Sequence, residues 1–102
     1  MGKGKRARPK YLGKKLREIR SRLELSQNAM LRYLGLESEF TRAELSAYER
    51  GVREPPLQVL LSYSKTVHLW VNVLIDDQLM LPDHLPTKQM HPGNSRLQKR
   101  RR

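Results

Sequence analysis

The chain has 102 residues, no cysteine and a formal net charge of +11. That length suits one small domain, and the missing cysteines exclude disulfide frameworks, thiolate metal sites and thiol nucleophiles. No run of about 18 apolar residues exists and no apolar stretch follows Met1–Arg6, so neither a membrane span nor a secretory signal is expected.

Residues 1–10 carry Lys3, Lys5, Arg6, Arg8 and Lys10 without an acid or an apolar period, and read as a disordered basic arm. From Tyr11 the pattern changes. Leu12, Leu16, Ile19 and Leu23 recur at spacings of one helical face, with Lys14, Lys15, Arg17, Arg20 and Arg22 assigned to the other faces. Glu24-Leu25 ends this first helix. Ser26 is placed to N-cap a second helix, whose apolar side is Met30, Leu31 and Leu34 and whose stop is Gly35. Glu37-Ser38-Glu39 reads as a turn. Thr41 caps a third helix, with Glu44 completing a capping box, Leu45 and Tyr48 facing inward, and Gly51 as the stop.

Pro55-Pro56 makes an extended link and opens a fourth helix with proline in its first turn. Leu57, Leu60, Leu61 and Ser64 are expected on its buried side. A fifth helix is expected from Val71 through Leu79, with apolar residues on more than one face, a pattern suited to burial against a second subunit. Asp76-Asp77 reads as the solvated face of that helix, without a partner base. Pro82, Pro86 and Pro92 break any further helix, leaving residues 82–102 as a basic tail. Lys88, Arg96, Lys99, Arg100, Arg101 and Arg102 lie in it. The cations of residues 1–10 and 88–102 account for the whole net charge, because acids and bases balance over residues 11–87. Such arms fit a polyanion, nucleic acid above all. A membrane surface fits less well, since neither arm has an apolar helical face. The plainer reading is that the tails only solubilise the chain.

The ordered set Leu16-Arg17-Glu18-Ile19-Arg20, Leu25-Ser26-Gln27, Leu34-Gly35-Leu36, Leu45-Ser46-Ala47-Tyr48-Glu49-Arg50-Gly51, Pro55 or Pro56, and Leu60-Leu61 resembles the helix-turn-helix domain of lambda-type phage repressors and Xre-like bacterial regulators. The resemblance covers about two thirds of the chain. It implies an all-α, five-helix fold over residues 11–81 that reads the major groove with helix 42–50, the groove being where base pairs are distinguishable. Arg42, Ala43, Ser46 and Ala47 would form its outer face, with Thr41 at its cap, and Arg42 is suited to guanine. Gln27 and Asn28, opening the preceding helix, would meet a phosphate, as would Arg50 and Arg53. Glu49 would pair with an arginine of the first helix, Arg17 or Arg20. Alternatives stand beside these roles: Arg42 as a solvated first-turn residue, Gln27 as a helix cap, Arg50 as the partner of an acid.

The chain departs from the family in four places. The connection through Glu37-Ser38-Glu39-Phe40 is longer. Leu31 stands where a small residue is usual, His68 where glycine is usual, and Trp70 where a cap is usual. Phe40 is expected against the core.

No catalytic constellation, metal spacing or phosphate-binding glycine loop is present: His68, His84 and His91 are scattered. The expectation is therefore a cytoplasmic, nucleoid-associated regulator of transcription, a repressor and homodimer on double-stranded DNA, with no enzyme activity and no cofactor. The alternatives are an antitoxin that also binds a toxin, a protein-interaction adaptor on the same fold, and a nucleic-acid binder acting through the arms alone.

Overall fold

The computed structural model describes residues 8–86, so most of each basic arm lies outside the described residues. The described chain is all-α, with five helices and no strand among its residues. They are α1 (Leu12–Arg22), α2 (Gln27–Leu34), α3 (Arg42–Glu49), α4 (Leu57–Val67) and α5 (Val71–Ile75). Leu16, Ile19, Met30, Leu45, Val59, Tyr63, Val67 and Leu74 meet in one core.

Helix α1 buries Leu12, Leu16 and Ile19, the stripe its spacing predicts. It also buries Lys15, which the spacing assigns to a face other than the apolar stripe. The Lys15 ammonium donates to the Val73 carbonyl at 2.8 Å and the Asp76 carbonyl at 3.0 Å. A long stem can thus lie in the core while its charge meets the carbonyls at the end of α5. Gly13, the second residue of α1, allows the close crossing with α3. A Cβ there would stand 2.6 Å from the Tyr48 carbonyl oxygen and 2.8 Å from that of Glu49.

The local signals for α2 and α3 hold. The Ser26 hydroxyl accepts from the Ala29 amide at 3.1 Å, and Gly35 takes the left-handed conformation that ends α2. Thr41 and Glu44 form the reciprocal capping box, with the Glu44 amide 3.1 Å from Thr41 Oγ1 and the Thr41 amide 2.9 Å from Glu44 Oε1. In the connection between them Leu36 is buried and its carbonyl accepts from the amides of Glu39 and Phe40. The added length is therefore a hydrogen-bonded turn pinned to the core. Phe40 packs edge-on against Tyr48, ring centroids 6.4 Å apart, and lies against the core as expected.

Helix α4 is turned from its expected orientation. Its buried residues are Val59, Leu60, Tyr63 and Val67, whereas Leu57 is 82% exposed and Leu61 52% exposed. A stripe drawn from leucines and a serine alone missed the Val59–Tyr63–Val67 line, which carries the bulk of the buried volume. Pro56 stands at the N-cap, one position before the helix. His68 ends α4 in the left-handed conformation, the geometry that favours glycine at this place.

Helix α5 is shorter than expected, stopping at Ile75 and not continuing to Leu79. Asp76 takes extended backbone and its carboxylate accepts from the Gln78 amide at 2.9 Å, a local turn that competes with helix continuation. Asp77 lies beyond the helix and has partners: its carboxylate accepts from the amides of Lys10 at 2.9 Å and Tyr11 at 3.1 Å. Tyr11 gives α1 no side-chain cap, and the distant Asp77 instead fastens the two residues just ahead of the helix. From there the chain runs beside α1 to its far end. Arg22 Nη1 donates to the Pro82 carbonyl at 2.6 Å, and Leu81 and Leu85 pack against the core.

Candidate nucleic-acid interface

Helix α3 packs against α1 on one side and α2 on the other, leaving a narrow outward strip. Arg42, Ala43 and Arg50 are exposed on it and Ser46 is half-buried. Ala47, expected on that face, is instead buried at 7% exposure. It lies on the inward side with Leu45, Tyr48 and Glu49, because two neighbouring helices enclose that side of α3. Thr41 is exposed, its hydroxyl engaged in the capping box.

Beneath the strip lies an ion pair that orders it. Arg20 Nε donates to Glu49 Oε2 at 2.8 Å and Nη2 to Oε1 at 3.0 Å, while Nη1 holds the Leu25 carbonyl at 3.0 Å. This bidentate bond ties α1 and the turn after it to the end of α3. Of the two arginines that the resemblance offered to Glu49, Arg20 is the partner. The bonded carboxylate raises the Arg20 pKa above its ordinary value, keeping the guanidinium charged.

Gln27 joins the same group. Its Nε2 donates to Glu49 Oε1 at 3.1 Å, and its Oε1 accepts from Arg42 Nη1 at 3.4 Å. The orientation of this amide follows from its neighbours. A carboxylate only accepts, so the amide nitrogen must face Glu49 and the oxygen must face the Arg42 guanidinium. Arg42 is thereby linked through Gln27 and Glu49 to Arg20. Gln27 thus has both ends engaged within the fold, and Asn28 beside it is exposed.

Arg50 pairs with no acid among the described residues. Its Nε donates to Ser46 Oγ at 3.1 Å, one turn earlier on the same strip. Arg53 is exposed past Gly51, its amide held by the Ala47 carbonyl at 3.3 Å.

Two sets of cations escaped sequence reasoning as site residues. Arg17 shares a depression with Arg20, Gln27, Ser46, Glu49 and Arg50. Its spacing of three from Arg20 held that information, since residues three apart share a helix side. On the other side of the α1–α3 crossing, Arg8 and Lys10 line a hollow of about 300 Å³ with Arg53 and Tyr48. The last residues of the N-terminal arm therefore sit at the C-terminal end of α3, a long-range placement with no local signal.

Among the described residues no group of His, Asp and Glu could hold a metal ion, and no helix is long and apolar enough to cross a membrane. Set against family profiles, curated proteins and solved structures, the chain matches none.

Proposed function

We propose that this chain is a sequence-specific regulator of transcription, a repressor that binds double-stranded DNA through a lambda-repressor-like helix-turn-helix fold. In this reading α3 enters the major groove, and Arg42 and Ala43 meet base edges. Gln27, Asn28, Thr41, Ser46, Arg50 and Arg53 border them, and the basic arms add contacts to backbone phosphates. The observation that carries the reading is the outward strip of α3. It presents an arginine at its first turn, small side chains behind it and an arginine at its end, and the Arg20–Glu49 pair holds the helix in place. The protein acts in the cytoplasm, on the nucleoid, without a cofactor and without a catalytic step.

It works as a homodimer, because one domain reads only a few base pairs and a doubled site restores selectivity. The exposed apolar side chains of Leu57, Leu61, Trp70 and Ile75 support this. Leu57 and Ile75 border one groove with Pro9, Pro55, Pro56 and Leu60, and Trp70 is 80% exposed. The same side chains favour a second reading, an antitoxin that represses its own operon and covers these residues with a toxin.

The test is binding of the full chain and of Arg42→Gln to sheared genomic duplex across a salt series. The expected result is selection of particular fragments by the native chain and a loss of about 1–3 kcal/mol of discrimination in the variant. Equal binding to all fragments by the native chain removes the regulator reading.

A further inference from the structure

The depression between α1, α2 and α3 has a volume of about 210 Å³ and is lined by Arg17, Arg20, Gln27, Ser46, Glu49 and Arg50. Its hydrogen-bonding chemistry is one-sided. Among the described residues Glu49 is the only acid lining it, and both carboxylate oxygens are committed to Arg20 and Gln27. Arg20 is committed in turn to Glu49 and the Leu25 carbonyl. Arg17, by contrast, is exposed and has no hydrogen bond or ion pair among the described residues. Arg50 uses only its Nε, on Ser46 Oγ, which leaves the two outer nitrogens of its guanidinium open. Since Ser46 Oγ acts there as an acceptor, its own hydroxyl hydrogen remains to be donated.

The charges give the same answer. Arg20 and Glu49 cancel, and Arg17 and Arg50 remain from different helices. A concave site offering two cations and a hydroxyl donor, with its acid already engaged, suits a ligand that only accepts hydrogen bonds and carries negative charge.

We infer that this depression is the seat of one phosphodiester of the DNA backbone, clamped between the guanidinium groups of Arg17 and Arg50 and bonded by the Ser46 hydroxyl. The inference rests on the DNA-binding reading and sharpens it in two ways. It brings α1 into the interface through Arg17, and it assigns Ser46, which borders the base-reading residues, to the backbone. A contact to the sugar-phosphate chain carries no sequence information, but it fixes the register in which Arg42 and Ala43 approach the bases.

The experiment uses the full chain, Arg17→Gln and Ser46→Ala. Arg17 is exposed and unbonded, so its replacement leaves the melting curve unchanged. Against duplex fragments, Arg17→Gln is expected to bind all sequences about tenfold more weakly and to lower the slope of log affinity against log salt by about one, the mark of one lost phosphate contact. Ser46→Ala is expected to lose a few-fold affinity, and in both variants the ranking of fragments stays as in the native chain. A changed ranking, or native affinity and slope in Arg17→Gln, overturns the assignment while DNA binding itself stands. If the native chain binds no duplex, the DNA-binding reading fails separately. The seat is then judged by titrating inorganic phosphate while following the Arg17 and Arg50 side-chain NMR signals. Shifts of both support an anion seat, and still signals overturn it.

Discussion

The ammonium of Lys15 sits 2.8 Å from the main-chain carbonyl of Val73, across 58 residues of sequence, and joins the first helix to the last. It also reaches the Asp76 carbonyl, which accepts from the Leu79 amide as well, so one side chain serves two acceptors at the end of α5. Lys15→Met keeps the apolar stem and removes the donor. It is expected to destabilise the fold by about 1–3 kcal/mol, the usual cost of leaving partly buried acceptors without their charged partner. Lys14→Met, on the exposed neighbour, is expected to change little. Urea unfolding of the two variants makes the comparison.

Asp77 gives the fold an acid-sensitive fastening. The amides of Lys10, first, and Tyr11 hold its pKa below the ordinary carboxylate value. A depressed folded pKa contributes stability above the unfolded pKa, and that contribution is lost as pH falls through the folded one. The start of α1 should therefore loosen below about pH 4, the ordinary range of an aspartate, and stay fastened at neutral pH. NMR signals of the Lys10 and Tyr11 amides should titrate together there, and Asp77→Asn should abolish that titration.

Tyr63 is the converse case, a buried polar group that nothing engages. Its ring is wholly buried and its hydroxyl finds no hydrogen-bond partner among the described residues. Burial, first, pushes its pKa up, which favours the neutral phenol. Tyr63→Phe removes an unsatisfied group without opening space, and is expected to be neutral or to stabilise by about 1 kcal/mol. Tyr63→Ala would leave a cavity and cost about 3–5 kcal/mol. Thermal melts of both variants decide whether the ring alone matters.

Gly13 tests the crossing beneath the candidate interface. Both atoms that an added Cβ would meet first are main-chain oxygens of α3, which cannot rotate away as a side chain would. Gly13→Ala must therefore push α1 and α3 apart, and is expected to cost about 1–3 kcal/mol despite alanine's better helix propensity. Loss of stability is one readout. The other is the Arg20–Glu49 bond, which spans the same two helices and whose guanidinium NMR signal should move.

What was legible in the sequence was local. Ser26, Gly35, and Thr41 with Glu44 act within a turn of themselves, and the structure uses each as its chemistry dictates. The stripe of α1 was legible for the same reason. What failed depended on neighbours far along the chain. Ala47 has the size of a base-contacting residue and is buried because α1 and α2 both press on α3. Leu57 and Leu61 are as apolar as the core yet stay outside, because Val59, Tyr63 and Val67 fill the space first. Lys15 and Asp77 looked like surface charges, and each is fixed by the other end of the fold. At the candidate interface, Arg42, Ala43 and Arg50 are exposed, and Glu49 pairs with one of the two arginines that the resemblance offered it. The spacing of Arg17 from Arg20 puts the two on one side of α1, but the wall opposite them, Ser46 and Arg50, comes from the far end of α3.

The segment after α5 has a mechanical consequence. It is fastened to the start of α1 through Asp77 and to the end of α1 through Arg22, so the first and last stretches of the described chain are tied to one rod. Tension between Arg8 and Leu85 therefore passes along α1 and is resisted by fastenings at its two ends, before any load reaches α2 or α3. A helix pair hung from such a rod keeps its shape while the chain ends are pulled, and it gives way only after one of those fastenings has opened.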